Sequence, residues 1–148
     1  MMKNDRGHTL IELMVVLLIF SICLAIPTLY YVNRDSGQDV KAFIEEFEQD
    51  LYYSQQQAMG KTTNARINIF NGRGFYQVSV DGKHEKTVHF PEGLRFQRGS
   101  IAVPTPIFFY PNGNTNVAGR FAIQTPGDLY WVNFRVGSGR FYVERLHS

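Results

Sequence analysis

Hydrophobic and polar positions divide the chain into three regimes. Residues 9 to 27 are almost all apolar, and one acid, Glu12, stands near their start. At about 1.5 Å per residue, a helix of that length spans the ~30 Å core of a bilayer. Lys3 and Arg6 precede it, so the positive-inside rule places the N-terminus in the cytoplasm and the rest outside. Pro27 is expected to bend or interrupt this helix. The second regime has a helical period. Val40, Phe43, Ile44, Phe47, Leu51 and Ala58 form one apolar stripe, and Lys41, Glu45, Glu48 and Asp50 lie mostly away from it. Ser36 followed by Asp39 offers a fresh start and Gly60 a stop. The stem either continues the apolar helix or restarts near residue 36. Barely three heptads is short for a coiled coil, so the stripe is expected to pack on the chain's own head.

From residue 65 the period becomes alternating. The stretches ARINIF, FYQVSV, KTVHF, LRFQ, IFFY, RFAIQ, YWVNFRV and RFYVER read as strands, separated by the turn signals NGRG, DGK, PEG, TPGD and GSG. Their spacing predicts an antiparallel meander. A helix followed by strands gives an α+β fold. The segment YPNGNTNVAG is too rich in Asn and Gly for a strand and is expected to be an exposed loop.

Composition narrows the picture. A chain of 148 residues, 44% hydrophobic and 14% aromatic, holds one modest domain with appendages. Cys23 is the single cysteine, which excludes an intramolecular disulfide and a cysteine metal cluster. A cleaved secretory signal fits poorly, because neither SIC nor AIP matches the small-residue cleavage pattern. An ordinary signal anchor leaves Glu12 unexplained, and an ionisable residue in a membrane segment is a functional hypothesis in itself. The net charge of +2 is unevenly spread. Residues 34 to 58 carry six acids against two bases, while Lys61 onward carries eleven bases against five acids. The middle is acidic and the end basic.

Catalytic chemistry is missing. His84 and His89 lie five apart in a strand, where alternation places them on opposite faces, so no shared metal is expected. VGSGR has Val136 where a nucleophile elbow needs glycine. GRG is explained by a hairpin turn. The chain is read as no enzyme, with no metal and no cofactor. Arg135, Arg140 and Arg145 alternate with Tyr130, Trp131, Phe141 and Tyr142 near the end. Arginine with aromatics suits phosphates and stacked bases, which makes the three arginines candidate DNA contacts. The same alternation is also the ordinary pattern of a half-buried sheet.

The stretch Gly7-His8-Thr9-Leu10-Ile11-Glu12 resembles the class III leader of type IV pilins and pseudopilins, written G-F-T-L-x-E, with His8 where Phe is usual. The resemblance implies that a prepilin peptidase cuts between Gly7 and His8, removes residues 1–7 and methylates the new amine of His8. Glu12 then becomes the fifth mature residue and pairs with the N-terminal amine of a neighbouring subunit. A carboxylate in hydrocarbon is costly alone and tolerable when paired. The SQQQA end of the stem, F-Y-P-N-G-N…A-G-R and V-G-S-G-R-F-Y-V-E-R extend the resemblance to the minor pilins of competence type IV pili of Gram-positive bacteria. H-type pseudopilins of type II secretion and FimT-like pilins share the plan. The implied architecture is a leader at 1–7, a transmembrane and assembly helix at 8–29, an amphipathic stem at 30–60 and a β-rich extracellular head at 61–148. The implied role is a minor pilin for DNA uptake in transformation, or alternatively a secretion pseudopilin. Its implied partners are major and minor pilins, the prepilin peptidase, the cell membrane crossed once, and DNA.

Overall fold

The computed structural model describes residues 10–32, 36–137 and 139–146, with side chains at 10–24, 37–137 and 139–146. The chain divides into two units, Met1–Asp35 and Ser36–Ser148.

Among the described residues, the first unit is a single helix, α1 (Leu10–Val32). It continues through Pro27, so of the bend or interruption expected there the interruption does not occur. A proline removes one i→i−4 hydrogen bond, and the bonds on either side keep the helix running. Its apolar side chains, from Leu10 to Leu24, are exposed on every side. Ser21 folds back to donate its hydroxyl to the Leu17 carbonyl at 2.8 Å, so this hydroxyl is satisfied within the helix. Among the described residues, no helix is long and apolar enough to cross a membrane.

The second unit opens with α2 (Ser36–Gly60) and continues with β1 (Ala65–Phe70), β2 (Phe75–Val80), β3 (Lys83–His89), β4 (Arg95–Gln97), β5 (Ile107–Phe109), β6 (Gly119–Gln124), β7 (Leu129–Phe134) and β8 (Phe141–Leu146). Every strand expected from alternation is present. Their pairing is not one meander. It forms two four-stranded antiparallel sheets, β3-β2-β1-β5 and β4-β6-β7-β8. Consecutive hairpins account for β1-β2-β3 and β6-β7-β8. The short strands β4 and β5 change places: β4 pairs with β6, and β5 returns to β1. Alternation marks a strand and its buried face but does not encode its partner.

All six stripe residues of α2 are buried, from Val40 at 6% exposure to Phe47, Leu51 and Ala58 at 0%. Phe47 joins the two sheets. Its ring meets Tyr76 of the first sheet at 5.2 Å, and Phe96 and Phe121 of the second at 5.2 and 6.3 Å. The helix and the inner faces of both sheets therefore share one core.

Candidate functional site

Three places carry the residues singled out by sequence. The first is the N-terminal segment. Gly7 and His8 lie outside the described residues. Glu12 sits in the first turn of α1, where the positive end of the helix dipole favours an acid.

The second is the end of the β4-β6-β7-β8 sheet, where pairing decides which side chains share a face. Arg135 donates its backbone N–H to the Arg140 carbonyl at 2.9 Å across the turn that joins β7 to β8. Moving outward from that pair, Asn133 opposes Tyr142, Trp131 opposes Glu144, and Leu129 opposes Leu146. These rows continue onto β6 through Arg120 and Ala122, and onto β4 through Arg95 and Gln97. The outer face thus carries Arg120, Arg135 and Arg140 with Trp131, Tyr142 and the acid Glu144, and Arg95 at its far end, in the row of Leu129 and Leu146. The Arg120 guanidinium lies 4.3 Å over the Trp131 ring, and that of Arg135 lies 5.9 Å over Tyr142. Stacked guanidinium and aromatic planes of this kind attract further π-systems and anions.

Arg145 is not part of this face. It opposes Tyr130, whose row continues through Ile123 to Phe96, all pointing inward. Its guanidinium forks onto Asp128 at 2.8 Å to each carboxylate oxygen. That hydrogen bond holds the arginine's pKa above its ordinary value. The three candidate arginines are therefore two neighbours and one outlier. Arg140 and Arg145 are five apart on one strand, a spacing that already implies opposite faces. Arg95 and Arg120, which complete the outer face, were missed because strand pairing alone brings them there.

His84 and His89 depart from the expected geometry. A bulge between Val78 and Ser79 resets the alternation of β3, so His84 opposes Ser79 and His89 opposes Phe75, on one face. They stay apart because three further pairs along the strand separate them, about 13 Å at ~3.3 Å per residue. Among the described residues, no three His, Cys, Asp or Glu side chains converge as a metal site would need.

The third place is α2 itself, where sequence reasoning set Asp50 aside from the stripe. Asp50 is buried at 6% exposure. It accepts the Tyr76 hydroxyl at 2.6 Å and the Lys86 ammonium at 3.0 Å, and Lys86 also pairs with Glu46 at 2.8 Å. Burial, with the Asp50 hydrogen bond and charge adding to it, raises the Tyr76 pKa well beyond the ordinary phenol range. Burial pulls Lys86 down, but its hydrogen bonds to Glu46 and Asp50 outweigh this and leave it raised.

One turn further along α2, Gln55 Nε2 donates to the carbonyl oxygens of Gly113 at 2.7 Å and Gly139 at 2.9 Å. Gly139 has φ +59°, and a Cβ there would fall on the Gly113 carbonyl, so only glycine fits. Three separate motifs, SQQQA, YPNGN and the glycine turn before Arg140, thus meet at one side chain. The YPNGNTNVAG segment is less exposed than expected, since Gly113 and Val117 are buried.

Comparison with known proteins places this geometry in context. Residues 2–26 match the prokaryotic N-terminal methylation motif. A search of curated proteins returned no significant match. Among solved structures, the chain is similar to the type IV minor pilin FimU of Pseudomonas aeruginosa PAO1. The two are 16% identical with a TM-score of 0.59, over 75% of this chain and 95% of that one. It is also similar to two structures of the minor pseudopilin EpsH from the type II secretion system of Vibrio cholerae. Those share 16% and 15% identity with TM-scores of 0.51 and 0.54, covering 73% and 75% of this chain and 96% and 97% of theirs. At such identities the likeness establishes the fold: a helix packed on antiparallel sheets, in the pilin-like arrangement.

Proposed function

We propose that the chain is a minor pilin or pseudopilin, a non-catalytic subunit of a type IV pilus or a secretion pseudopilus. The observation that carries this reading is the joining of two features in one chain. A methylation motif at residues 2–26 runs into an apolar helix, and behind it stands a head of the fold seen in FimU and EpsH. On this reading a prepilin peptidase cuts between Gly7 and His8 and methylates the His8 amine. The α1 segment holds the subunit in the cell membrane, with the head outside and on the cell surface after assembly. Glu12 then neutralises the amine of a neighbouring subunit, because an acid among hydrocarbon side chains is stable only when paired.

We further propose a competence pilus serving DNA uptake as the machine, with ComGD as the minor pilin it resembles. The stretch F-Y-P-N-G-N…A-G-R and the ending V-G-S-G-R-F-Y-V-E-R support that branch, and the outer arginine face supports contact with DNA. The likeness to EpsH favours secretion as the second reading.

The test is intact-mass analysis of the chain recovered from membranes of cells with and without a prepilin peptidase. The expected result is loss of residues 1–7 and gain of one methyl group only when the peptidase is present. Retention of the leader, or a cut elsewhere, would overturn the reading.

A further inference from the structure

The chain contains two Asn–Gly steps, Asn71–Gly72 and Asn112–Gly113. Such a step can modify itself. The glycine nitrogen attacks the side-chain carbonyl carbon of the asparagine, and no Cβ on the glycine stands in the way. A C–N bond forms, the bond to the side-chain nitrogen breaks, and ammonia leaves with the proton that the glycine nitrogen gives up. Water then opens the resulting succinimide at either carbonyl. One opening gives aspartate. The other gives isoaspartate, whose main chain runs through the side-chain carbons and is one carbon longer.

The fold treats the two steps differently. Asn71 commits both ends of its amide to β4: Nδ2 donates to the Phe96 carbonyl at 2.7 Å, and Oδ1 accepts the Phe96 N–H at 3.0 Å. Both bonds must break before its carbonyl carbon can turn to Gly72. Asn112 is exposed in the YPNGN turn. Its Oδ1 accepts the Asn114 N–H at 3.0 Å, which folds the side chain forward along Gly113, toward the attacking nitrogen. The same bond sets a donor on the oxygen that gains negative charge as the nitrogen adds. Among the described residues, nothing holds Nδ2 of Asn112, the leaving nitrogen. One contact opposes the reaction. The Gly113 N–H donates to the Tyr110 carbonyl at 2.9 Å and must let go before its nitrogen attacks. The turn therefore slows the step below its rate in an unfolded chain, and β4 slows the step at Asn71 further.

We propose that Asn112 is a site of self-modification in the folded chain, that Asn71 is kept intact, and that the isoaspartate form at 112 loosens the clasp on α2. Gln55 Nε2 binds two carbonyls, those of Gly113 at 2.7 Å and Gly139 at 2.9 Å. An added main-chain carbon just before Gly113 shifts the first of them and leaves Gln55 with Gly139 alone. The loss of ammonia makes the change one-way, so the converted fraction records the age of the head. Each conversion adds one negative charge to a chain of net +2, by which the products separate on ion exchange. The chemistry involves neither the leader nor the assembly surfaces, so it stands apart from the pilin reading.

The test incubates the full chain in detergent micelles in mildly alkaline buffer, beside a sample unfolded in urea, and follows both steps by peptide mass spectrometry. In urea the two steps are expected to convert at similar rates. In the folded chain Asn112 is expected to convert more slowly than in urea, yet at least roughly tenfold faster than Asn71, since one further hydrogen bond of about 1.4 kcal/mol to break already gives that ratio. Gln55→Ala, which frees the Gly113 carbonyl, is expected to raise the Asn112 rate severalfold and leave Asn71 unchanged. The isoaspartate form is expected to exchange amide hydrogens faster than the parent across residues 110–116. Equal rates at the two steps in the folded chain, or an Asn112 that stays intact while the urea sample converts, would overturn the proposal. Unchanged exchange in the isoaspartate form would overturn its effect on the clasp.

Discussion

The carboxylate of Asp50 accepts the hydroxyl of Tyr76 at 2.6 Å, and this bond ties the middle of α2 to β2. Both partners are buried, so the bond is shielded from water and each group depends on the other. Tyr76→Phe removes one bond and leaves Asp50 its ammonium partner Lys86, at an expected cost of about 1–2 kcal/mol. Asp50→Ala strands the buried Tyr76 hydroxyl and takes from Lys86 one of its two acids, leaving it Glu46, and is expected to cost more, up to about 3 kcal/mol. Urea unfolding of the two variants checks the order; equal costs would deny Asp50 its central place.

The same group sets an alkaline limit on stability. Tyr76 is raised above its ordinary 10.0 and Lys86 above its ordinary 10.5. In both cases the folded chain keeps a proton that the unfolded chain releases. The unfolded state therefore binds fewer protons once the pH exceeds about 10, and the slope of stability with pH turns negative. Stability from this network is full below pH 10 and falls above it as the folded groups approach their own pKa values. Melting temperatures between pH 8 and 11.5 should drop more steeply in the parent than in Tyr76→Phe. A parallel fall would remove tyrosine from the account.

These two residues also show what a sequence conceals. The stem stripe and all eight strands were legible because each follows one period, helical or alternating, and each period names its buried side. Asp50 was read as facing away because its partners lie 26 and 36 residues further on. The exchange of β4 and β5 between sheets was hidden for a related reason, since pairing depends on contacts far apart in the chain. Arg145 was different. Its odd offset from Arg140 did place it on the other face, and counting charge without parity merged the two.

Gln55 and Gly139 provide a prediction about order. Gln55→Ala removes both donated bonds to the Gly113 and Gly139 carbonyls. It is expected to cost about 1–2 kcal/mol and to speed amide exchange in residues 110–116 and at the β7–β8 turn, with the stem unaffected. Gly139→Ala should be worse, because it sets a Cβ on the Gly113 carbonyl at a left-handed φ of +59°. Exchange measured by mass spectrometry separates a local loosening from global unfolding. Uniform acceleration in Gln55→Ala would show that the clasp is not local.

The arginines divide by face, and salt dependence reads the division. If the outer face grips DNA, each phosphate contact adds about 0.9 to the slope of log affinity against log salt. Arg135→Glu with Arg140→Glu should flatten that slope by nearly two units in the detergent-solubilised chain. Arg145→Ala should leave it unchanged, because that guanidinium is spent on Asp128 on the inward face. A slope that responds to Arg145 and ignores the pair would move the contact off the outer face.

The deepest packing prediction concerns Phe47, which has no exposed surface and touches rings from both sheets. Phe47→Leu keeps most of the volume, whereas Phe47→Ala opens a cavity where helix and sheets meet. The neighbouring rings are fixed by their own strands and cannot collapse into the space, so the cost should lie at the upper end of the usual ~3–5 kcal/mol for such a truncation. That is a large part of the ~5–15 kcal/mol that holds a domain of this size. Chemical denaturation should show Phe47→Ala partly unfolded at 37 °C and Phe47→Leu folded. Phe43, a turn earlier, still has 4% of its surface exposed and borders Phe90, which is only partly buried, so Phe43→Ala should cost less. If the Phe43 variant proved the weaker of the two, the junction of the sheets would lie nearer the start of α2 than Phe47 places it.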